Sequence, residues 1–218
     1  MEILVEGKGS QYLTPNQIIF HFNFSVKGDT YQLVLEQGSK SVENFINEVL
    51  IKNGFSKEDL KTQNFVIKEE NKYNNETGKY EFNGYSYNQY ANVRFDYNKD
   101  LLGKLMEDVS KLENPPTYQI AFGVKDEKVS RKEVLGLAYN DALDKASAIA
   151  LSAGKILKRC TKVDSKSLDS VYISESSLDY SLMPQDRTVS DVASIITASF
   201  TPEDIEITER LYCLWIAE

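Results

Sequence analysis

The clearest hydrophobic pattern in the chain is an alternation near its beginning. Apolar residues occupy every second position of 18–26, and the positions between them are mostly polar, with His21 among them. Alternation with aromatic residues on one face predicts a strand with one buried face and one face in water. Because Pro15-Asn16 marks a turn, we expect the preceding residues 2–9 to form a partner strand in a hairpin.

Two segments with apolar residues spaced by three and four positions predict helices. The first has Asp29 as its expected N-cap and ends at Gly54, since glycine readily takes the left-handed conformation that closes helices. Gly38 inside this helix costs about 1 kcal/mol relative to alanine, which predicts close packing at that position. The second helix has Asp100 as its expected cap and stops at Asn114-Pro115-Pro116.

The longest helix is predicted over about residues 130–153. Ser130-Arg131-Lys132-Glu133 has the pattern of a capping box, Asp141 and Lys145 are spaced to form an ion pair, and Gly154 closes the helix. Its apolar stripe is rich in alanine, which suits close approach to a sheet or to another helix. The stripe consists of Leu135, Ala138, Ala142, Ile149, Ala150 and Ala153.

The remaining alternating or apolar segments predict strands at 62–69, 85–97, 118–124, 156–163, 170–174 and 205–217. In 85–97 the odd-numbered positions form the apolar face. Residues 71–80 are rich in turn formers, 178–186 has the composition of a loop, and 189–200 has the spacing of a short helix. The last strand is apolar on both faces, so we expect it to be central, covered on both sides, and near residues 18–26 in the N-terminal sheet.

This order of elements predicts an α+β fold with mostly antiparallel sheets packed by two or three long helices. Because the terminal strand is expected to return to the N-terminal sheet, residues 1–77 and 161–218 are predicted to form an outer domain. Residues 78–160 then form an inserted βαβα(β) subdomain.

Charge narrows the classes of partner. The 218 residues include 25 basic and 33 acidic side chains, and the formal net charge of −8 repels DNA, RNA and anionic membranes on average. The most basic cluster, 155–159, is interrupted by apolar residues and is better explained as the start of a strand. We therefore expect no nucleic-acid partner.

Targeting segments and cysteine content both indicate the cellular compartment in which a protein acts. The first twenty residues contain charged side chains and no apolar core of a signal peptide, and no segment approaches the roughly 18 apolar residues of a membrane span. The expected location is the cytoplasm. Cys160 and Cys213 are too few and too far apart for a disulfide framework or a zinc site, so both are expected to be reduced, packed thiols.

Gly7-Lys8-Gly9 invites a phosphate-binding interpretation that its surroundings do not support. A P-loop needs G-x-x-x-x-G-K-[ST] before a helix, whereas here Glu2 stands in the place of the first glycine and a strand follows. The glycines are better explained by a bulge or twist in an edge strand. His21 is the only histidine, so neither a zinc site nor a Ser-His-Asp triad is indicated, and a solvent-facing position is expected.

Six of the thirteen tyrosines lie close together, at Tyr73, Tyr80, Tyr85, Tyr87, Tyr90 and Tyr97. Aromatic side chains on a sheet can stack single-stranded bases, but that mode needs a basic groove, and 73–97 contains only Lys79 and Arg94 as basic residues. Packing across strands or a contact between subunits explains the tyrosines better. The acidic groups Glu69-Glu70 and Glu203-Asp204-x-Glu206 lack the spacing of a calcium loop, and we expect them to be solvated.

Short motifs occur in a recognisable order along nearly the whole chain. They are Val5-x-Gly7-x-Gly9 with Pro15-Asn16; Leu50, Gly54 and Thr62 with Phe65; Gly84-Tyr85 with Val93; Leu102-Gly103-Lys104-Leu105; Ala138-x-x-Asp141-Ala142-x-x-Lys145-Ala146 with Ile149-Ala150 and Gly154; and Pro202-Glu203-Asp204-Ile205. Together they resemble the SIMPL domain family, which more often has Asp at the position of Asn16. The resemblance implies a bacterial protein of poorly understood function without agreed catalytic residues. Its relatives include a periplasmic immunogenic protein and a protein implicated in oxidative-stress protection, and some members form large ring-like homo-oligomers.

Three functional hypotheses follow. The leading one is a non-enzymatic protein that assembles with copies of itself, acts through its surfaces, and is linked to stress or envelope processes by the resemblance. The alternative is an enzyme or stress protein with an unrecognised site built from loops, which predicts a deep pocket lined by polar side chains from different segments. The third is a module that binds another protein. No catalytic, cofactor-binding or metal-binding residue is assigned.

Overall fold

The computed structural model describes residues 1–165 and 200–218 and has the predicted α+β fold, with two antiparallel sheets. The described residues form two compact units: one comprises 1–16, 123–165 and 202–218, and the other 17–122 with 200–201. The strand predicted at 170–174, the loop at 178–186 and most of the helix at 189–200 lie outside the described residues.

The first unit is a three-stranded sheet with one long helix against it. The strands, in the order β1-β7-β6, are β1 (Glu2–Leu13), β7 (Ile205–Ala217) and β6 (Leu157–Asp164), and the helix is α3 (Glu127–Ser152). Its core contains the buried residues Ile3, Val5, Ala138, Ala142, Ala146, Ala150, Leu211, Cys213, Trp215 and Ala217. A face of small alanines therefore meets the larger side chains of the sheet.

The last strand is central, as predicted, but its neighbours and its cover differ from the prediction. It pairs with β1 from Glu2↔Ile216 to Leu13↔Ile205, and β6 lies on its other side. It does not belong to the sheet that contains residues 18–26. Within the described residues α3 covers one face only; on the other face Leu4 is 69% exposed and Leu214 is half-buried.

The predicted hairpin between the first two strands is wrong. The strand β2 (Gln17–Gly28) belongs to a second sheet of order β3-β4-β2-β5, with β3 (Lys61–Asn74), β4 (Lys79–Asp96) and β5 (Thr117–Gly123). Asn16 explains the change of sheet: its backbone N–H donates to the carbonyl of Gly123, and its Oδ1 accepts from the N–H of Lys125. Bonding at residue 16 therefore holds the segment to the end of β5 instead of closing a turn back onto β1.

The second unit has a core rich in aromatic residues. Its helices are α1 (Tyr31–Phe45), which continues as a π-helical turn and a 3₁₀ turn up to Asn53, and α2 (Lys99–Ser110). The Phe22 ring centroid lies 4.3 Å from that of Phe20 and 4.5 Å from that of Phe45. The odd-numbered positions of β4 contribute its large buried apolar side chains, as predicted, although Ser86 and Asn92 on the other face are buried too.

Helix ends were predicted better at the C-terminus than at the N-terminus. Gly54 and Gly154 both have positive φ, 84° and 68°, and close their helices as expected. The N-caps differ: Thr30 Oγ1 accepts from the N–H of Leu33, and Asn98 Oδ1 accepts from the N–H of Leu101. The predicted caps Asp29 and Asp100 therefore lie one residue before and two residues after the actual caps.

The longest helix also begins earlier than predicted. It starts at Glu127, so Ser130 lies inside it and the predicted capping box is wrong. Of the predicted stripe, Ala138, Ala142 and Ala150 are buried and Leu135 is half-buried against the core, whereas Ile149 is 45% exposed and Ala153 is exposed. The prediction missed Val134 and Ala146, which complete the row that meets the sheet.

The contacts group the chain differently from the predicted domains. The boundary at 77/78 falls in the turn between β3 and β4, whose cross-strand pairs join residues on both sides of it. The boundary at 160/161 falls inside β6. A boundary inside a hydrogen-bonded strand pair separates residues that share one set of backbone bonds, whereas the observed division falls at 16/17 and 122/123.

Candidate interaction surface

Gly7 and Gly9 bring β1 against α3 and do not form a phosphate-binding loop. A Cβ at Gly7 would lie 1.9 Å from the carbonyl oxygen of Ala138, and a Cβ at Gly9 2.2 Å from that of Val134. The pairing of β1 with β7 is regular throughout, so the predicted bulge is absent from this strand pair. Only glycine allows the strand and helix backbones to approach this closely.

Two side chains of α3 bind the backbone of the same strand. Asp141 Oδ2 accepts from the backbone N–H of Lys8 at 2.7 Å, and Lys145 Nζ donates to the carbonyl of Glu6 at 3.0 Å. The predicted Asp141–Lys145 pair is confirmed, with 2.7 Å between Nζ and Oδ2. Hydrogen bonding to Lys145 and to the N–H of Lys8 lowers the pKa of Asp141. The Ala-Asp-Ala-Lys-Ala spacing of this helix therefore has a structural explanation: alanines for close approach, and Asp and Lys to bind β1.

The two cysteines are free thiols packed in the core of the first unit, as predicted. Cys213 is fully buried and Cys160 is half-buried beside it. Burial, together with the neighbouring Cys160, raises the pKa of the Cys213 thiol. A raised pKa disfavours the thiolate that reacts, so the structure supports a packing role for this residue.

His21 does not face solvent as predicted. It is half-buried, and its Nε2 is buried without a hydrogen-bond partner among the described residues, as is Oδ1 of Asn23 two residues on. Asn92 is opposite His21 on β4 and is 3% exposed. These polar groups share one face of β2 and β4, where the pattern of alternation predicted water. The described residues contain no group of three or more His, Cys, Asp or Glu side chains that could hold a metal ion.

Of the acidic groups, Glu70 differs from the prediction. It is half-buried, and its Oε1 accepts from Ser86 Oγ at 2.6 Å. This bond, followed by a contact with Lys68, lowers the pKa of Glu70. Glu69, Glu203, Asp204 and Glu206 are exposed, as predicted.

Aromatic side chains lie along the β3–β4 hairpin and at the start of α1. The row, which we call the aromatic strip, consists of Tyr31, Tyr73, Tyr80, Phe82 and Tyr85. Its neighbours contact edge to face, with ring centroids 5.2 Å apart for Tyr73–Tyr80, 5.3 Å for Phe82–Tyr85 and 6.0 Å for Tyr31–Tyr85. Cross-strand packing is confirmed for Tyr73 and Tyr80, which are paired across β3 and β4.

The aromatic strip is open to solvent over most of its length. Tyr80 is 74% exposed, Phe82 57%, and Tyr31 and Tyr73 about half. The turn of the hairpin carries Lys79 and Glu76, so its charge is balanced and provides no basic groove for a polyanion. An exposed aromatic row of this kind is typical of a protein–protein contact.

Sequence reasoning found part of the aromatic strip. It identified Tyr73, Tyr80 and Tyr85 but assigned 71–80 to turns, so it missed Phe82 and the extension of both strands. Tyr31 was missed because it comes from a different element, at the start of α1. The sequence did contain a signal for the longer strands. Residues alternate on both sides of the Asn-Glu-Thr-Gly turn, with Asn71 and Tyr73 before it and Tyr80 and Phe82 after it.

No helix in the described part of the chain is both long and apolar enough to cross a bilayer.

Comparison with known proteins agrees with the motifs. No curated protein matches the chain. The model of the family described as SIMPL (DUF541), protein of unknown function, matches residues 3–212, which span both units. The chain therefore belongs to the SIMPL family, whose function is unknown.

Proposed function

We propose that this is a non-enzymatic protein that assembles with copies of itself, and that the aromatic strip is the contact. The observation that carries the proposal is the exposure of four large aromatic side chains in two contacting groups. One group is Tyr73–Tyr80 on the β3–β4 hairpin, and the other is Phe82–Tyr85 on the same hairpin with Tyr31 from the start of α1. Soluble monomers rarely expose contiguous apolar surface of this kind, and aromatic residues are enriched at the centres of interfaces.

A second copy is the occupant that the charges favour. Lys72 and Glu81 are opposite each other on the hairpin, and Lys79 and Glu76 lie at its tip. A surface with balanced charge can meet an identical surface across a two-fold axis without net repulsion. The ring-like oligomers implied by the family resemblance support the same proposal, in a stress or envelope setting.

Light scattering after size exclusion, at tens of micromolar protein, tests the proposal. The wild-type chain is expected to have a mass of at least two copies, and Tyr80→Ser with Phe82→Ser is expected to have the mass of one. Leu4→Ser with Tyr12→Ser is a matched control, because both residues are about two-thirds exposed and lie in the other sheet. Circular dichroism shows whether each variant is folded.

Two results would contradict the proposal. A wild-type monomer at this concentration removes the assembly claim. A drop in mass for the control pair, with no change for the hairpin pair, assigns the contact to the open face of the other sheet.

A further inference from the structure

The second half of β2 has one unpaired edge within the described part of the chain. Asn16 bonds to Gly123, which places the start of β2 beside the end of β5, and the Phe20 and Tyr118 rings lie 5.0 Å apart. Because β5 begins at Thr117, it reaches only about as far as Phe22 along β2. Among the described residues, Phe24 to Gly28 are paired with β4 alone, so half of their backbone groups face away from the described sheet.

Two prolines explain why the chain leaves this edge open. Pro115-Pro116 directly precedes β5 and supplies no backbone N–H. Proline cannot donate to a strand ladder, so β5 cannot be extended backward along β2. A local property of the sequence therefore explains why β5, the described neighbour of β2 on this side, does not cover this edge.

A groove of about 660 Å³ lies along this edge. Its floor is the end of β2 from Phe24 to Lys27, one wall is a polar face of α1 that includes Lys40 and Asn44, and the other wall is the segment that ends in Pro115-Pro116. This volume is in the range of ligand sites, and five extended residues span about 16 Å at 3.3 Å each. The groove therefore has room for a short strand.

The groove is more basic than the chain around it. Lys27 and Lys40 line it against a single acidic residue, Glu113, although the whole chain has a net charge of −8. Neutral donors and acceptors, such as Asn44, supply the rest of the polar lining. A carboxylate is the charged group that this lining complements.

We propose that this groove binds an extended acidic peptide segment of a partner protein, which adds as a strand to the free edge of β2. Backbone hydrogen bonds to residues 24–28 supply the affinity, and an Asp or Glu side chain of the peptide pairs with Lys27 and Lys40. This inference goes beyond self-assembly and does not depend on it, because the groove and the aromatic strip share no residue.

Selection from a displayed library of random eight-residue peptides, followed by fluorescence anisotropy on the full chain, tests the proposal. The enriched peptides are expected to be acidic and rich in β-branched residues. Lys27→Glu with Lys40→Glu is expected to weaken their binding at least about tenfold. Lys57→Glu with Lys61→Glu makes the same change in net charge on exposed lysines outside the groove and is expected to leave binding unchanged.

Amide hydrogen exchange locates the binding. Bound peptide is expected to protect amides within residues 24–28, and methylation of the peptide's backbone nitrogens is expected to abolish both binding and protection. Failure to enrich any peptide, or equal binding by the groove variant, overturns the proposal. Protection of 24–28 that rises with protein concentration in the absence of peptide also overturns it, because the groove is then a contact between copies.

Discussion

At the scale of single residues, glycines separate what the sequence predicts from what it does not. Gly38 was expected to mark close packing because glycine is costly inside a helix, and a Cβ there would lie 2.5 Å from the Tyr87 ring. Local pattern assigns Gly7 and Gly9 to a bulge or twist because the helix that approaches them follows more than a hundred residues later. Local sequence rules can identify an unusual glycine, but they cannot predict which distant element packs against it, because that contact depends on the tertiary structure.

The first prediction concerns Gly7→Ala. The new methyl group would lie 1.9 Å from the carbonyl oxygen of Ala138, so α3 must move away from β1. We expect the free energy of unfolding to fall by about 3 kcal/mol or more, measured by urea denaturation.

Gly136→Ala is the matched control, because it lies inside α3 and a Cβ there would contact nothing within 4 Å. It is expected to raise the free energy of unfolding by up to about 1 kcal/mol through helix propensity. Equal stability of the two variants would contradict the close approach of β1 and α3.

The second prediction concerns Asp141→Asn and its dependence on pH. Hydrogen bonds to Lys145 and to the N–H of Lys8 lower the pKa of Asp141 in the folded protein. The stability that its charge contributes is therefore fully present above the pKa of Asp141 in the unfolded chain, and it is lost as the pH falls through the lower pKa of the folded state. At pH 7 the variant is expected to be less stable by about 1 kcal/mol, since asparagine accepts the hydrogen bond without the charge. The difference is expected to shrink below about pH 4.

Urea denaturation from pH 7 to pH 3 measures this difference. Asp144→Asn, an exposed substitution on the same helix, is expected to have no comparable effect. A stability difference for Asp141→Asn that is constant over this range would show that the charge of Asp141 does not contribute.

At the scale of elements, the sequence predicts where periodic segments lie and is less reliable about where they begin. All three described α-helices were predicted, but the 3₁₀ helix at Lys57–Asp59 was not. Both glycine stops were placed correctly because a positive φ selects glycine. The N-caps were missed because Thr30 and Asn98 compete with neighbouring Asp29 and Asp100, and all four are good caps. Local chemistry alone does not rank such neighbours.

The third prediction compares the actual and the expected cap of α2. Asn98→Ala removes the acceptor for the N–H of Leu101 and is expected to lower the free energy of unfolding by about 1 kcal/mol. Asp100→Ala keeps that acceptor and loses only a favourable charge in the first turn, which is worth about 0.5 kcal/mol. Thermal and urea denaturation of both variants measure the difference, and a larger loss for Asp100→Ala would place the cap where the sequence predicted it.

At the scale of the whole molecule, local patterns predicted the α+β class but not the division of strands between sheets. The pairing of β1 with β7 joins residues about two hundred positions apart, and only the apolar character of both faces of β7 hinted that it is central. The entry of β2 into the second sheet follows from Asn16, whose two hydrogen bonds to Gly123 and Lys125 cannot be deduced from local pattern. Local pattern also predicted only part of the aromatic strip, because Tyr31 comes from another element and contacts Tyr85 only in the folded structure.

The fourth prediction tests the division of the chain with two fragments. Of the described residues of the second unit, 17–122 contain α1, α2 and the four strands of its sheet up to Phe122, together with the buried core apart from Phe200. This fragment is expected to unfold cooperatively, with a near-ultraviolet circular dichroism spectrum from its packed aromatic residues. Loss of Phe200, which is 5% exposed in the full chain, is expected to cost about 3 kcal/mol.

The fragment 78–160, which follows the predicted subdomain, provides the contrast. It contains β4 without its neighbours β2 and β3, and α3 without the strands β1 and β7 that its alanines contact. Because neither half of it can bury its apolar face, it is expected to lack a cooperative transition, as measured by circular dichroism on heating. Cooperative unfolding of 78–160, with none for 17–122, would restore the division predicted from the sequence. Cooperative unfolding of 17–122, with none for 78–160, would support the observed division. In that division α3 packs against β1 and β7, so its apolar face is buried only when both ends of the chain are present.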